Sequence, residues 1–225
     1  MTFSLIMLSL NEIESMRVIL PRIKKEWVDE VIIVDGGSTD GTIEFAESLG
    51  FPVLRQKSRG IIGGYIEGLE ASTGEVVITF TPDGNMIPEK IPELTAKMKE
   101  GYDMVIVSRY LDGAKSEDDT AVSGFGNWLF TTMVNVLYGS NYTDVLGFYR
   151  AFRKDIFMRL GLWEDIKLSI DTQMCIRCAR KGLKTTEIPG DEPKRIGGKS
   201  YRSIIKNGII ELSTVFGELF PSKKY

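Results

Sequence analysis

Apolar and polar positions alternate with two different periods along the first half of the chain. Short apolar runs bounded by turn residues are typical of buried β-strands. Such runs predict strands at residues 3–9, 31–35, 52–55, 75–80 and 103–108. The segments between them carry apolar residues at helical spacing, which predicts helices at residues 11–25, 42–49, 60–71 and 88–99. Asn11 is the expected N-cap of the first helix, and Pro88 lies in the first turn of the last.

This order of strands and helices predicts an α/β fold. A strand that alternates with a helix builds a mostly parallel central sheet with helices on both faces, which makes a three-layer sandwich. Right-handed crossovers bring the loops that follow the strands to one edge of the sheet, where ligands bind in such folds.

The second half of the chain has a different pattern. A polar, acidic segment at 110–123 predicts a mobile loop. Apolar and amphipathic segments then predict helices at 124–138, 170–181 and 202–220 and strands at 148–153 and 183–188. A basic, glycine-rich loop is expected at 190–201.

Composition narrows the possible chemistry. The 225 residues include 28 basic and 31 acidic side chains, and the net charge of −3 predicts no nucleic-acid partner. The chain contains no histidine, so a catalytic base must be Asp, Glu, Lys or Tyr, or must arrive with the substrate. The two cysteines, Cys175 and Cys178, lack a second pair or a histidine to complete a zinc site, so we interpret them as ordinary helix residues.

The sequence also bears on location. It has no apolar run of the roughly 18–20 residues that a spanning helix needs. The first residues lead directly into a strand pattern without a basic segment, so we expect no signal peptide. These features predict a cytoplasmic protein, either free or at the cytoplasmic face of a membrane.

Three acidic residues fall at the ends of predicted parallel strands. Glu12 follows the first strand, Asp35 ends the second and Asp83 follows the fourth. Because these strand ends meet at one edge, the three carboxylates can converge on one site. The alternative is structural: Asp35 would cap the turn at 37–41, and Asp83 would make an Asx turn.

The arrangement of motifs resembles a known family. The series consists of Leu8-Ser-Leu-Asn-Glu12, Asp35-Gly-Gly-Ser-Thr-Asp-Gly-Thr42, Thr81-Pro-Asp83-Gly-Asn85, Asp144-Val-Leu-Gly-Phe-Tyr-Arg150 and Arg195-x-x-Gly-x-Ser200. In this order it resembles family 2 glycosyltransferases, and within them most closely the polyprenyl-phosphate mannosyl- and glucosyltransferases. The likeness covers about residues 3–202. It implies a GT-A fold, which is a Rossmann-like nucleotide-sugar-binding sandwich, and transfer of a hexose from a GDP-mannose or UDP-glucose type of donor.

The resemblance also implies roles for individual residues. The nucleotide sugar would be held by the positions that match the family's donor-binding motifs: Leu8, Leu10, Glu12, Asp35, Gly36, Ser38, Gly64, Thr81, Pro82 and Asp83. Asp83 and Asn85 match the metal-binding motif, which implies Mg²⁺ or Mn²⁺ on the donor diphosphate. Oxygen ligands suit these hard cations, and Asp83 is accordingly expected to be catalytic.

The chain departs from the family pattern at three places. Thr81 replaces the usual first Asp of the metal motif, Gly36 replaces a frequent second Asp, and residues 8–10 replace Pro-Thr-Tyr. Fewer carboxylates should weaken metal binding. A weakly active or non-catalytic nucleotide-sugar-binding protein is therefore one alternative. A sugar nucleotidyltransferase is another, although the basic glycine-rich loop of those enzymes is replaced here by residues 9–12.

Basic residues in the later loops suggest the acceptor. Those that match phosphate-binding positions of the family, together with one serine, are Arg109, Arg150, Arg195, Lys199, Ser200 and Arg202. Arg and Lys bind phosphates through charge-assisted hydrogen bonds. A polyprenyl phosphate could attack the donor without a base, whereas a sugar hydroxyl on another glycan acceptor would need one, and Asp144 and Asp171 are the candidates. The resemblance implies inversion at the anomeric carbon.

Two predicted apolar helices have more than one possible packing partner. Residues 128–137 and 204–220 could pack in the core, and the second has more apolar residues than one buried stripe needs. Peripheral membrane contact and a homodimer interface are both expectations for it. We thus expect one GT-A domain over 1–225, with a nucleotide-sugar-binding half at 1–110, an acceptor half at 111–202 and a C-terminal amphipathic helix at 203–225.

Overall fold

A computed structural model describes residues 1–197 and 204–220 of the chain. Over these residues the strands are β1 Phe3–Ser9, β2 Glu30–Asp35, β3 Val53–Arg55, β4 Val76–Phe80, β5 Met104–Ser108, β6 Arg150–Arg153 and β7 Thr185–Pro189. The α-helices are α1 Ile13–Ile19, α2 Thr42–Ser48, α3 Gly60–Ala71, α4 Ile91–Lys99, α5 Ala121–Tyr138, α6 Ile156–Arg159, α7 Ile170–Lys181 and α8 Ile204–Gly217. Among the described residues, no helix is both long and apolar enough to cross a membrane.

The described strands form one seven-stranded sheet in the order β3-β2-β1-β4-β6-β5-β7. All neighbours are parallel except β6, which runs antiparallel between β4 and β5. Strands β1, β2, β4 and β5 are almost entirely buried, because helices cover both faces of the sheet. The α/β prediction, with a mostly parallel sheet and three layers, is confirmed.

Two hydrophobic cores occupy the two faces of the sheet. Helices α1, α2 and α4 cover one face, with Met16, Ala46 and Leu94 among the buried residues. Helices α3, α5 and α7 cover the other, with Leu69, Val134 and Met174 among them. Each layer therefore buries an apolar face against the sheet, and the strand ends are left to carry the polar groups.

The first helix is shorter than the sequence predicts. It begins at Ile13, and Pro21 converts its continuation into a short 3-10 helix at Leu20–Arg22. Asn11 does not cap it. Its backbone is left-handed, with φ of 53°, and its side-chain oxygen accepts from Thr39 N at 2.9 Å. Asp40 instead accepts from Ile13 N at 3.0 Å, so the first turn of α1 is satisfied from another loop.

The acidic segment at 110–123, which we predict to be a mobile loop, contacts residues 191–192. Ser116 pairs with Glu192 in a β-bridge. Helix α5 begins at Ala121, earlier than expected, because Thr120 and Ser123 form a capping box. The four-residue α6 has no counterpart in the sequence prediction.

Cys175 and Cys178 are buried on α7 without a disulfide, and burial raises the pKa of the Cys175 thiol to about 12, so both behave as core residues.

Candidate functional site

The candidate site lies where three parallel strands end side by side. Strands β1, β2 and β4 are neighbours in the sheet, and their carboxyl ends release the loops that carry Glu12, Asp35 and Asp83. Glu12 and Asp83 are close enough to share one partner, because Arg195 forms an ion pair with each of them. The predicted convergence of the first and fourth strand ends is therefore present in the structure.

Asp35 holds the glycine-rich turn in place. Its carboxylate accepts hydrogen bonds from Gly37 N at 2.9 Å, from Ser38 N at 2.7 Å and from Ser38 Oγ at 2.6 Å. A fourth bond comes from Ser9 Oγ at 2.9 Å, so both carboxylate oxygens are in use. This matches the structural alternative considered for Asp35. Binding of a nucleoside by Asp35 stays a prediction. It would require the carboxylate to exchange one of these four hydrogen bonds for a bond to the nucleoside.

The other predicted donor residues surround Gln56, which no sequence motif singles out. A Cβ placed on Gly36 would lie 3.4 Å from Gln56 Oε1 and 3.5 Å from Leu10 Cδ1. A Cβ on Gly64 would lie 3.0 Å from the same oxygen and 3.5 Å from Leu8 Cδ2. The two glycines thus leave room for Gln56, which is tied to Gly60 O at 2.7 Å. Gln56 comes close to Gly36 and Gly64 only in the folded chain, so its position could not be predicted from the sequence.

The loop after β4 shapes the centre of the site. Pro82 is buried beneath it. Asp83 Oδ1 accepts from Thr81 Oγ1 at 3.1 Å and from Asn85 N at 3.2 Å, which is the predicted Asx turn. Asp83 Oδ2 faces Arg195, whose terminal nitrogen lies 2.9 Å away. The turn and the ion pair thus use different oxygens of one carboxylate.

A segment from the far end of the sequence lies across this loop. Asn85 Nδ2 donates to Pro193 O at 2.8 Å, and Ile196 N donates to Asp83 O at 2.8 Å. Gly84 permits the approach, since a Cβ there would lie 2.7 Å from Ile196 Cγ1 and its φ is +93°. Residues 193–196 are consequently held against the strand-four loop by backbone and side-chain bonds.

Arg195 is the cation of the site. One terminal nitrogen pairs with Asp83 and the other with Glu12, while Nε is buried without a hydrogen-bond partner. Burial raises the pKa of Glu12 above its ordinary value, and the Arg195 charge opposes that rise. The adjoining cavity of about 270 Å³ is lined by Glu12 and Ile196, among others. This volume is small for a nucleotide sugar.

The residues present fit a divalent cation that is shared with a bound diphosphate. The carboxylates of Glu12 and Asp83 both pair with the Arg195 guanidinium, so they already bind a positive charge. The hydroxyl of Thr81 lies beside Asp83. Among the residues that the structure describes, no group of three or more Asp, Glu, His or Cys side chains could hold a metal by itself. Asp83, with Thr81 and Asn85 nearby, would therefore supply part of an oxygen coordination shell.

Arg109 and Asp144 pair with each other in a second cluster. Asp144 is fully buried and accepts from Arg109 Nε at 2.6 Å and from Asn127 Nδ2 at 2.8 Å. Burial opposes the charge, but Arg109 and Asn127 outweigh it and hold the pKa of Asp144 below its usual range. Arg109 also pairs with Glu192 at 3.3 Å. A buried, ion-paired carboxylate is a poor general base, so this cluster does not support Asp144 in that role.

Arg150 lies in the core of this structure, and the partly buried Asp171 lies beside it. The Arg150 guanidinium is fully buried and donates to Gly147 O at 2.9 Å and to Asp171 O at 3.0 Å. The Asp171 carboxylate lies 3.4 Å from Arg150 Nε. The prediction that Arg150 binds an acceptor phosphate does not fit this geometry, because no solvent reaches its guanidinium. Asp171 is likewise next to a buried cation rather than an open cleft.

Three predicted acceptor residues, Lys199, Ser200 and Arg202, lie outside the described residues.

The sequence analysis did not select Glu187, which is a polar partner in the cluster around Asp144. Glu187 accepts from Thr143 N at 2.7 Å and Asp144 N at 3.0 Å, and burial raises its pKa. Glu187 falls within the strand predicted at 183–188, and a carboxylate inside a strand is a signal of a buried partner, since such groups are rarely buried without one.

Comparison with known proteins gives a consistent result. The family model described as Glycosyl transferase family 2 matches residues 4–161. Glycosyltransferase AglJ of Haloferax volcanii is 30% identical over 216 residues, which are 95% of this chain and 69% of that protein. The undecaprenyl-phosphate mannosyltransferase of Micrococcus luteus is 29% identical over 205 residues, or 86% of this chain and 84% of that protein.

Solved structures share the fold at lower sequence similarity. One is glucosyl-3-phosphoglycerate synthase from Mycobacterium tuberculosis in complex with Mn²⁺, uridine diphosphate and phosphoglyceric acid. It is 18% identical, with a TM-score of 0.72, and the match covers 99% of this chain and 80% of that one. At this identity the likeness concerns the fold.

Proposed function

The chain belongs to glycosyl transferase family 2, and from that premise we propose that it transfers a hexose from a nucleotide sugar to a polyprenyl phosphate. It is a glycosyltransferase with a GT-A fold. The observation that carries the proposal is the meeting of Glu12, Asp83 and Arg195 at the strand ends. Relatives named as undecaprenyl-phosphate mannosyltransferase and dolichyl-phosphate hexose transferase support the choice of acceptor.

The donor would bind across the ends of β1, β2 and β4, in the half formed by residues 1–110. Its diphosphate would lie at Asp83, with a Mg²⁺ or Mn²⁺ ion that shares the oxygens of Asp83, Thr81 and Asn85. When bound, the ion neutralises negative charge on the departing nucleoside diphosphate. Arg195 comes from the other half of the chain and pairs with Asp83 and Glu12, and we expect it to compete with the metal ion for these carboxylates.

The transfer itself needs little acid–base chemistry. A phosphate oxygen of the acceptor attacks the anomeric carbon, the bond from that carbon to the nucleoside diphosphate breaks, and the configuration inverts. A phosphate monoester has a second pKa of about 6, so it is largely dianionic at neutral pH and has no proton to lose. The chain contains no histidine to act as a base, which suits such an acceptor.

The arginine partners of the two alternative bases favour the phosphate acceptor further. A sugar hydroxyl must lose a proton during attack, which requires a base within hydrogen-bond reach. Asp144 is fully buried against Arg109, and the Asp171 carboxylate lies 3.4 Å from the buried Arg150. A hydroxyl acceptor would therefore have to find another base among the residues at the strand ends.

A transfer assay with matched acceptors tests the proposal. We expect the protein with Mn²⁺ to move labelled hexose from GDP-mannose or UDP-glucose to a short polyprenyl phosphate, and not to the polyprenol that lacks the phosphate. The lipid-linked label is measured after extraction into organic solvent. Transfer to the alcohol or to a sugar hydroxyl would contradict the acceptor. Nucleotide binding by calorimetry without any transfer would instead favour the non-catalytic alternative.

Substitution of Arg195 should expose its competition with a metal ion. In Arg195→Met, Asp83 and Glu12 lose their shared cation, and Mn²⁺ should bind the nucleotide-free protein about tenfold more tightly, which corresponds to about 1.4 kcal/mol. The measurement is a titration of the free Mn²⁺ signal by electron paramagnetic resonance. Lys194→Met removes an exposed neighbouring cation and should leave the affinity unchanged. Equal affinity of Arg195→Met and the parent protein would show that Arg195 does not occupy the metal position.

The location and assembly of the protein stay predictions. The cytoplasmic location and a homodimer through the C-terminal helix are both open to measurement by fractionation and by analytical ultracentrifugation. The division into a donor half and an acceptor half is also a proposal, which Arg195 qualifies because it reaches from the acceptor half to donor-side carboxylates.

A further inference from the structure

One short segment of the chain carries two ion pairs of opposite sense. Residues 191–196, which we call the strap, follow β7 and lie against the loop after β5 and the loop after β4. Near one end of the strap, Glu192 pairs with Arg109. Near the other end, Arg195 pairs with the two strand-end carboxylates. The strap therefore places an anion on an arginine and a cation between two carboxylates.

Glu192 fills an anion site. Its carboxylate oxygens lie 3.3 and 3.4 Å from Arg109 Nη1, and it also accepts from the hydroxyl of Ser116. The Nε and the second terminal nitrogen of Arg109 donate to Asp144 instead, at 2.6 and 2.9 Å. A guanidinium nitrogen and a hydroxyl that converge on one carboxylate are also suitable donors for a phosphate oxygen. The present occupant of this anion site is supplied by the chain itself.

A phosphate is a better occupant of this site than the carboxylate of Glu192. Partial burial raises the pKa of Glu192 above its ordinary value, although the Arg109 charge opposes the rise. The anionic form of Glu192 is therefore less stable here than in water, so its return to solvent offsets part of the cost of an exchange. A phosphate monoester is largely dianionic at neutral pH and brings more negative charge to the same donors.

The two ends of the strap are mechanically linked. Pro193 lies between the two ion pairs, and its ring fixes one backbone dihedral. At one end, Lys115 N donates to Asp191 Oδ1 at 2.9 Å. At the other end, Ile196 N donates to Asp83 O at 2.8 Å. Release of one end therefore changes the position of the other.

We propose that the strap is an autoinhibitory element that closes the donor site and an acceptor-phosphate site together. Arg195 takes the place of the positive charge that accompanies the donor diphosphate, and Glu192 takes the place of the acceptor phosphate. When donor binding releases Arg195 from Asp83, the strap shifts and Glu192 withdraws from Arg109 and Ser116. These two donors then bind the phosphate.

The strap would make the binding of the two substrates cooperative. Each substrate displaces one end of the same segment, so the first to bind removes part of the cost for the second, and this coupling is reciprocal. The identity of the two ligands rests on the proposed function. The competition between Glu192 and a phosphate does not, because it involves only groups that the structure already brings together.

Calorimetric titration with geranyl phosphate, without metal or nucleotide, tests the anion site. Glu192→Gln should bind this ligand about tenfold more tightly than the parent protein, because Arg109 and Ser116 lose their internal anion. Ser116→Ala, added to Glu192→Gln, should remove most of the gain. Glu117→Gln is the matched control: it removes an exposed negative charge from the same loop and should bind like the parent. Equal affinity of the Glu192→Gln and Glu117→Gln proteins would overturn the proposal.

A second variant tests the link between the two ends. Asn85→Ala removes the hydrogen bond from Asn85 Nδ2 to Pro193 O, 2.8 Å long, without a change of charge. It should loosen the strap from the donor side and tighten geranyl phosphate binding several-fold. In the parent protein, saturating Mn²⁺ with UDP or GDP should produce a similar gain, and Glu192→Gln should show little further gain. If neither the Asn85 variant nor the donor ligands alter the affinity, the two ends are not coupled.

The readout separates this proposal from the proposed function. Each titration measures binding of geranyl phosphate and needs no transfer, and circular dichroism checks that each variant is folded. A protein that transfers no hexose can still bind geranyl phosphate more tightly after Glu192→Gln. Conversely, a protein that transfers hexose to a polyprenyl phosphate can show no effect of Glu192→Gln or Asn85→Ala on this binding, and only the strap proposal then fails.

Discussion

Replacing Asp83 by asparagine should reduce kcat/KM for hexose transfer by about a thousandfold, which is several kcal/mol of transition-state stabilisation. The substitution keeps the shape of the side chain and removes its negative charge. Asp83 supplies the only carboxylate of the 81–85 motif, since position 81 is Thr and position 85 is Asn. A metal ion on the diphosphate would lose its anionic protein ligand, and Arg195 would lose the partner 2.9 Å from its guanidinium. Steady-state transfer to a short polyprenyl phosphate gives the rate.

Asp103→Asn is the matched control for this experiment. Asp103 is also a partly buried carboxylate that pairs with an arginine, Arg159 at 3.2 Å, and accepts a backbone amide from Lys184. It precedes β5, however, and so lies at the opposite edge of the sheet from the candidate site. Both variants should lose similar stability in urea, but only Asp83→Asn should lose transfer. Activity of Asp83→Asn within about tenfold of the parent protein would place the chemistry elsewhere.

Thr81→Asp should act in the opposite direction on metal binding. The Thr81 hydroxyl lies 3.1 Å from Asp83 Oδ1, so an aspartate there would set a second carboxylate beside the first. Mn²⁺ affinity in the presence of nucleoside diphosphate should then rise while transfer is kept. The same paramagnetic titration measures it.

The fold was predictable because the signals for it are local. Strand β4 is a continuous buried run bounded by turn residues, and the strands β1, β2 and β5 have the same character. The position of β6 had no such signal. It lies between β4 and β5 although it follows both in sequence, and its antiparallel direction depends on pairing with those distant strands.

The candidate site was only partly predictable, for a related reason. Strand-end carboxylates converge whenever the sheet forms, so Glu12 and Asp83 could be placed together from their sequence positions. The fate of an arginine depends instead on which carboxylate meets it in the folded chain. Arg195 reaches the site, whereas Arg109 is paired with Asp144 and Arg150 is buried in the core. The residues next to each arginine in the sequence do not show which of the three would reach the site, pair with Asp144 or be buried in the core.

Arg177→Met should lower the free energy of unfolding by about 3–5 kcal/mol, which is the second large effect that we expect. The Arg177 guanidinium is fully buried, pairs with Glu218 and Asp165, and donates to Leu160 O at 2.8 Å. Methionine is apolar and shorter, and it would leave the buried Glu218 charge without its arginine partner. Unfolding in urea, followed by far-ultraviolet circular dichroism, gives the change.

Removal of both charges should cost less than removal of one. In Arg177→Met combined with Glu218→Met, no uncompensated charge remains at the contact between α7 and α8, so we expect part of the stability to return. Arg153→Met is the surface control: Arg153 is exposed and lies 3.5 Å from Asp155, and its loss should cost less than about 1 kcal/mol. If Arg177→Met costs no more than this control, the buried pair does not fix α8. The position of α8 would then rest on the buried Val215 and on the hydrogen bond between Glu211 and Thr172.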